Sequence, residues 1–349
     1  MIKNYFKTAI RNLWRNKNFT AINISGLAVG IGVCLVIFLI ISFEMSFDDF
    51  HANKARIYRL LSISRNADGE HKSAGVPYPV PTTLHNDFPV MASSAVYSDR
   101  DDQIVIPNES GEGVAKKFKE EGGVFFVEPA FFKIFSFSLI AGEYNSLKEP
   151  NTAVLTKSTA EKYFGDWKNA VGSFIKLDNA VILKVTGVVD DSPLNSDMNM
   201  GMFVSYQSFK TYPDNFGYSD DWGNLGSNHQ LFIMLPANVN AASIQAQMPA
   251  FVKKYYKDNA GKKEHVLQPL KDIHFDADYG TLGDHSASKS ILWTLALIGV
   301  LIIVMASINF INLSTAQAVG RSKETGIRKV LGSLRSQLIS QVIGETLLI

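Results

Sequence analysis

Two long stretches of the chain carry no charged side chain, and the rest alternates between apolar and polar residues over much shorter distances. Residues 19–43 contain no Asp, Glu, Lys or Arg, and 22–41 are mostly Ile, Leu, Val, Gly and Ala. As a helix this run is long enough to cross the roughly 30 Å of bilayer hydrocarbon, so it predicts a membrane span. A cleaved signal peptide would show only about 7–15 apolar residues and a small-residue cleavage site, and neither is present. The second uncharged stretch, 291–319, reads ILWTLALIGVLIIVMASINFINLSTAQAV. Trp293 stands near its start, where an interfacial aromatic sits, and the run predicts a second span.

Before the first span, Ile2, Tyr5, Phe6, Ala9, Ile10, Leu13 and Trp14 recur at helical spacing, while Lys3, Lys7, Arg11 and Arg15 occupy another face. This predicts an amphipathic helix over 1–18 lying on the inner leaflet; a partner protein would cover the same stripe equally well. Inside the span, Gly26 and Gly30 form a Gly-x-x-x-Gly pair that lets a second helix approach closely.

Between the spans, short runs bounded by Gly, Pro, Asn and Asp predict a folded α+β domain. Strands are expected at 181–189 (VILKVTGVV) and 231–235 (LFIML), and helices at 158–164 and 242–256. Residues 99–123 are expected to form a mobile hairpin or loop, and 190–199 and 212–228 to form loops. The fold class is thus a membrane protein whose transmembrane α-helices flank an α+β extracytoplasmic domain.

Charge sets the orientation. The 349 residues hold 34 basic and 33 acidic side chains, a net charge of +1, which gives no global field to concentrate nucleic acid. That near-zero total hides basic ends and an acidic middle. Lys3, Lys7, Arg11, Arg15 and Lys17 precede the first span, and Arg321, Lys323, Arg328, Lys329 and Arg335 follow the second. Residues 45–290 carry 24 basic and 30 acidic side chains, a net −6. The positive-inside rule then places both ends in the cytoplasm and the middle outside. The single cysteine, Cys34, excludes an intrachain disulfide framework and any Cys-rich metal site.

Catalytic signatures are missing. The nearest approach to a Walker A loop, Gly261-Lys262, has Tyr256 in place of the first Gly and Lys263 in place of the hydroxyl residue. Neither a His-Glu-x-x-His helix nor a Gly-x-Ser-x-Gly elbow occurs. His274, Asp276, Asp278, Asp284 and His285 group like metal ligands, but a calcium loop starting at Asp276 would have Thr281 at its sixth position and Ala287 at its twelfth. The group is expected to be a solvated loop leading into the membrane. The run Ser98-Asp99-Arg100-Asp101-Asp102 is likewise expected to be an exposed charged turn. This chain is read as no enzyme, with no metal or cofactor of its own.

After the second span comes Arg321-Ser322-Lys323-Glu324-Thr325-Gly326-Ile327-Arg328-Lys329-Val330-Leu331-Gly332. This E-x-G-I-R-K-V-L-G string closely resembles the cytoplasmic coupling segment of the FtsX/MacB-like ABC transporter permeases. The opening FKTAIRNLWRNKNFTAINISGLAVGIGVCLVIF resembles that family's first helix and span, and FEMSFDDFHANKARIYRL the start of its extracytoplasmic region. The stretches FFKIFSFSLIAGEYNSLKEPNTAVLTKSTAEKYFGD, AVGSFIKLD and LKVTGVVDDSP are similar to its MacB-like periplasmic core domain. QPLKDIHF and INFINLSTAQ resemble versions common among Bacteroidetes-type bacteria. The resemblance covers nearly the whole chain and is weakest over 205–262.

The resemblance implies an amphipathic helix at 1–18, spans at 19–43 and 289–319, an extracytoplasmic domain at 44–288, a coupling segment at 320–333 and the start of a third span at 334–349. It implies a multi-pass protein of the bacterial inner membrane, a permease subunit of the mechanotransmission type. A separate cytoplasmic ABC ATPase would bind ATP and Mg, and its dimerisation would move the membrane helices and through them the periplasmic domain. Glu324, Gly326, Ile327, Arg328, Lys329, Leu331 and Gly332 are then the ATPase-coupling contact, and Gly26 and Gly30 pack helices. Further implied partners are a second permease copy or half, membrane lipid, and a periplasmic adaptor or outer-membrane protein. A two-span sensor with an outward ligand-binding domain has the same topology; it calls for a long cytoplasmic signalling segment after the second span.

Overall fold

The computed structural model describes residues 17–99, 101–108, 114–120, 123–283, 285–320, 326, 327, 329–332, 336 and 339. The expected amphipathic helix, apart from Lys17 and Asn18, lies outside the described residues, as does most of 334–349. Two units separate: Ser46–Ser288, and the flanking Met1–Met45 with Lys289–Ile349.

The flanking unit is built on two long helices, Lys17–Glu44 and Lys289–Gly320, which contain the two uncharged runs. Their lengths of 28 and 32 residues correspond to about 42 and 48 Å, more than a bilayer core requires. Apolar side chains point outward all round: Val29 is 66% exposed, Leu39 64%, Trp293 77% and Met305 70%. Such surfaces are costly in water and matched in lipid.

Ser46–Ser288 carries, among the described residues, thirteen strands in one mixed sheet. They are β1 (Ile57–Asn66), β2 (Gly69–Ser73), β3 (Ala92–Asp99), β4 (Asp102–Pro107), β5 (Val114–Glu120), β6 (Val124–Val127), β7 (Leu139–Gly142), β8 (Thr152–Thr156), β9 (Phe174–Leu177), β10 (Val181–Val189), β11 (Met202–Ser205), β12 (His229–Met234) and β13 (Lys263–Pro269). The order is β13-β1-β12-β3-β6-β11-β8-β10-β9-β4-β5, with β2 added to β1 and β7 to β10. β6 pairs parallel with β11 and β8 with β10, while the other ladders are antiparallel.

The central strands are apolar on both sides because both faces are covered. On β6, Phe125 enters one apolar cluster with Phe131, Phe203 and Phe232, and its neighbour Phe126 enters another with Leu155, Val204 and Phe209. On β12, Leu231 and Ile233 turn to a third cluster with Leu60, Leu84 and Phe251. This period-2 partition lets single strands feed two cores. β10 spans 181–189 with alternating burial at its start, and the helix Lys157–Phe164 begins on a Thr156 hydroxyl that accepts from the Thr159 amide.

One sequence expectation changes. Residues 242–256 form two short helices, Ala241–Gln245 and Met248–Tyr256. Pro249 has no N–H to bond the Gln245 carbonyl, so the first helix cannot run on, while Pro suits the first turn of the second. Of the hairpin or loop expected at 99–123, the described residues form the hairpin. Strands β4 and β5 pair from Asp102↔Glu120 to Pro107↔Val114, β4 pairs with β9, and Ile104, Val105 and Ile106 are buried.

Candidate functional site

Of the residues singled out for coupling, Glu324 and Arg328 lie outside the described residues. Gly326 and Ile327 are helical, as is Lys329, and the turn closes at Leu331 and Gly332, where Gly332 adopts a φ of 92°. The Leu331 amide donates to the Ile327 carbonyl at 3.0 Å. Ile327 is 62% exposed, Val330 88% and Leu331 80%. Three apolar side chains at i, i+3 and i+4 therefore form one uncovered edge beside the basic Lys329.

Gly26 and Gly30 face the second long helix. A Cβ at Gly30 would lie 2.9 Å from the Ala306 Cβ, and one at Gly26 would lie 3.3 Å from Asn309 Nδ2. The Cys34 thiol donates to the Gly299 carbonyl at 3.1 Å, a backbone contact that close helix approach permits.

Inside the domain, a polar clasp joins the leading segment, the trailing segment and the loop between β10 and β11. Asp48 accepts at Oδ1 from the Ser196 hydroxyl at 2.7 Å and the Asp197 amide at 3.3 Å. The Asp48 amide donates to the Asn195 carbonyl, and Asn195 Nδ2 donates back to the Ser46 carbonyl, both at 3.0 Å. Asp197 Oδ1 lies 3.1 Å from His274 Nδ1. The His274 ring stacks on Phe47 with centroids 3.6 Å apart, and its carbonyl accepts from the Ala287 amide at 3.0 Å.

Beside this clasp, Arg59 is fully buried on β1. Its Nε and Nη2 donate to Gln268 Oε1 at 3.0 and 2.7 Å, and Nη1 donates to Gln230 Oε1 at 3.2 Å. Gln268 in turn donates to Asp276 Oδ2 at 2.7 Å. β13 and β12 flank β1 and supply these two glutamines, so the sheet order builds the cage.

Burial sets the ionisation of these groups. It pushes Asp48 up to about 7, reinforced by the nearby Asp197 and opposed by the Ser196 hydroxyl. Burial also raises Asp197, against the pull of His274 and Arg59. It lowers Arg59 to about 10, opposed by Asp276 and Asp197, and lowers His51 to about 4. A neutral His51 ring fits its role, since Nδ1 accepts from the Ser136 amide at 3.1 Å. Such an arrangement binds segments together.

The expected solvated loop at 274–285 is corrected accordingly. His274 is buried against Asp197, Asp276 turns to Gln268 and Asp278 pairs with Lys72 at 2.7 Å, while the exposed His285 stays beside His274 with ring centroids 5.4 Å apart; Asp284 lies outside the described residues. The charged turn at 98–102 is corrected in part. Asp101 is exposed and pairs with Lys119 at 2.8 Å, whereas Asp102, the first residue of β4, is 1% exposed.

A sequence profile of the MacB-like periplasmic core domain matches residues 20–251, about two thirds of the chain. The chain belongs to the MacB-like periplasmic core domain family. Its MacB-like domain, flanked by two apolar helices, makes it a membrane protein with a periplasmic domain. The macrolide export ATP-binding/permease protein MacB of Burkholderia lata is 22% identical over 204 residues, covering 58% of this chain and 27% of that protein. The protein of the same name from Bdellovibrio bacteriovorus is 22% identical over 258 residues, 70% of this chain and 36% of its own length. The chain therefore spans about a third or less of these relatives. The crystal structure of a domain of a Porphyromonas gingivalis protein named as a permease superposes with a TM-score of 0.51 at 17% identity, covering 70% of this chain and 98% of that one, a likeness of fold.

The clasp was not singled out from sequence. Asp48, Asp197 and His274 are separated by 149 and 77 residues, and only the sheet topology brings them together. The one local hint is Arg59, a charge inside the otherwise apolar run of β1.

Proposed function

We propose that this chain is the membrane and periplasmic part of an ABC transporter permease, which couples ATP hydrolysis by a separate cytoplasmic ATPase to motion of the periplasmic domain. The carrying observation is the order of parts: an apolar helix, the MacB-like domain, a second apolar helix, and then the basic E-x-G-I-R-K-V-L-G segment with its exposed apolar edge. Ile327, Val330 and Leu331 offer a small hydrophobic contact, and Lys329 with Arg328 offers charge to acids on the ATPase. Glu324, Gly326 and Gly332 complete the contact. ATP and Mg belong to the ATPase in this reading.

The clasp suits mechanical coupling. Because Ser46, Phe47, Asp48, His274 and Ala287 all fasten to one another or to the 190–201 loop, a displacement of the domain's ends passes into the sheet without being absorbed by slack chain. The protein then resides in the bacterial inner membrane as a multi-pass permease. It works with a second permease copy or half, surrounded by lipid, and with a periplasmic adaptor or outer-membrane partner, for export or extraction of a substrate.

The test is capture of the neighbouring ABC ATPase by the permease purified in detergent, wild type against Gly326→Asp combined with Leu331→Glu. A Cβ at Gly326 meets no other atom within 4 Å among the described residues, and Leu331 is exposed, so the variant retains its fold. Capture by wild type and its loss in the variant is the expected result. A folded wild type that never retains the ATPase removes the proposal and brings the two-span sensor forward.

A further inference from the structure

Three carboxylates meet where β3 ends, β4 begins and β9 ends. Asp99, Asp102 and Asp178 each present an oxygen, and these oxygens lie within 4.8 Å of one another. Asp102 is 1% exposed, and among the described residues no N–H or hydroxyl donor reaches either of its carboxylate oxygens. The backbone fixes the group. Asp101 turns the chain between β3 and β4 with a φ of 65°, and Asp178 and Asn179 turn it after β9 with φ of 49° and 55°. The Asp178 amide donates to the Gln103 carbonyl at 2.8 Å, and the Gln103 amide donates to Asp178 Oδ1 at 2.7 Å. This exchange holds the Asp178 carboxylate beside the start of β4.

A buried carboxylate without a donor loses its hydration and gains nothing in return. Burial, and after it the repulsion of Asp99 and Asp178, raises Asp102 far above the usual carboxylate range. Lys119 on the adjacent strand β5 is engaged by Asp101 at 2.8 Å. A cation placed where the three oxygens converge supplies the countercharge for Asp102. The donor set is hard oxygen throughout, with no imidazole or thiolate, which suits calcium, magnesium or manganese rather than zinc or copper. Calcium accepts irregular sets of six to eight oxygens at about 2.3–2.6 Å, and water can reach the site past Asp178, which is exposed. Magnesium demands stricter octahedral geometry.

We infer that Asp99, Asp102 and Asp178 form a binding site for a calcium-type divalent cation on the periplasmic core domain. The ion pins the β3–β4 turn to the β9–β10 turn and so anchors the β4–β5 hairpin at the end of the sheet. Affinity in the range of about 10⁻⁴–10⁻³ M, as in extracellular calcium modules, is expected.

The experiment uses the full chain in detergent, stripped with EDTA and titrated calorimetrically with calcium, magnesium and manganese chloride. Hydrogen exchange is followed in parallel. Wild type is expected to bind one calcium ion saturably, with slower exchange confined to β4, β5 and the turn after β9. Asp102→Asn and Asp178→Asn are expected to weaken binding at least about tenfold. Near-UV circular dichroism confirms that the variants are folded; Asp102→Asn removes repulsion and is the safer of the two. Wild type that binds none of the three ions up to about 10 mM overturns the inference, because the carboxylates then share protons instead. Unchanged calcium binding by folded Asp102→Asn also overturns it, since the ion would then sit elsewhere.

Discussion

In the two long helices, Val29, Leu39, Trp293 and Met305 face outward, whereas in the core domain Phe126, Phe203 and Phe232 are buried. The polar groups divide the same way. The first helix carries no charge from residue 19 to its last turn and is joined to the second by small residues and a thiol-to-carbonyl hydrogen bond, while the domain encloses Arg59, Asp48, Asp197 and Asp102. A sheet can host these charges because adjacent strands supply partners on both sides, as Gln268 and Gln230 do for Arg59. A helix in lipid has already spent its backbone hydrogen bonds on itself, so close approach is its main means of association. The domain is thus specified by what it satisfies inside, and the helix pair by what it leaves out.

That contrast can be broken at either end. The largest effect is expected from Arg59→Leu, which strands Gln268, Gln230 and the charges of Asp276 and Asp197; removing one partner of a buried charged network costs about 3–5 kcal/mol. Hydrogen exchange of the full chain in detergent should quicken in β1, β12 and β13 and stay unchanged in the long helices. Exchange that quickens equally in the helices would show that the two regions do not behave as separate units.

Asp102 gives the next effect, and it depends on pH. Its folded value is pushed up to about 8 from an ordinary 3.8. The neutral form is favoured by folding, so stability is fully present below about pH 4 and is lost as pH rises through about 8, at up to about 1.4 kcal/mol per pH unit. In EDTA, wild type should therefore fall relative to Asp102→Asn across this window when melting temperatures are compared. Saturating calcium should flatten the difference; two parallel profiles without metal would contradict the shift.

In the helix pair, Gly30→Leu forces a side chain into the space held by the Ala306 methyl group. Overpacking of this kind costs about 1–3 kcal/mol. The expected sign is a lower thermal midpoint for the helices in detergent, while the near-UV signal of the domain keeps its own midpoint. The smallest effect belongs to Lys254→Ala, which removes an exposed ion pair with Asp87 at 2.6 Å. No measurable change in melting is expected, since solvent already screens such pairs.

How much was legible follows from the range of each signal. Twenty-five residues without charge, as at 19–43, admit few conformations other than a long apolar helix, and the β-branched, apolar run VILKVTGVV at 181–189 marks a strand. Pro249 misled because it fits a helix start as comfortably as it fits the apolar stripe that runs through 242–256. The choice between hairpin and loop at 99–123 stayed open because Lys116, Lys117 and Lys119 face solvent while only Ile104, Val105 and Ile106 show an apolar run. The clasp and the carboxylate trio had no local signature. Asp178 reaches Asp102 only because β9 pairs with β4, and Asp197 reaches His274 only because the 190–201 loop returns beside the trailing segment. Chemistry assembled across a sheet becomes readable once strand order is known.

Phe47 and Ala287 both rest on His274, one through its ring and the other through its carbonyl. A domain that starts and finishes on the same residue is a cassette. It can be set into a short loop of a different host, or circularly permuted by bridging those two points and opening a surface turn elsewhere, without cutting a strand. The same closure makes the domain replaceable as a whole in a single genetic step.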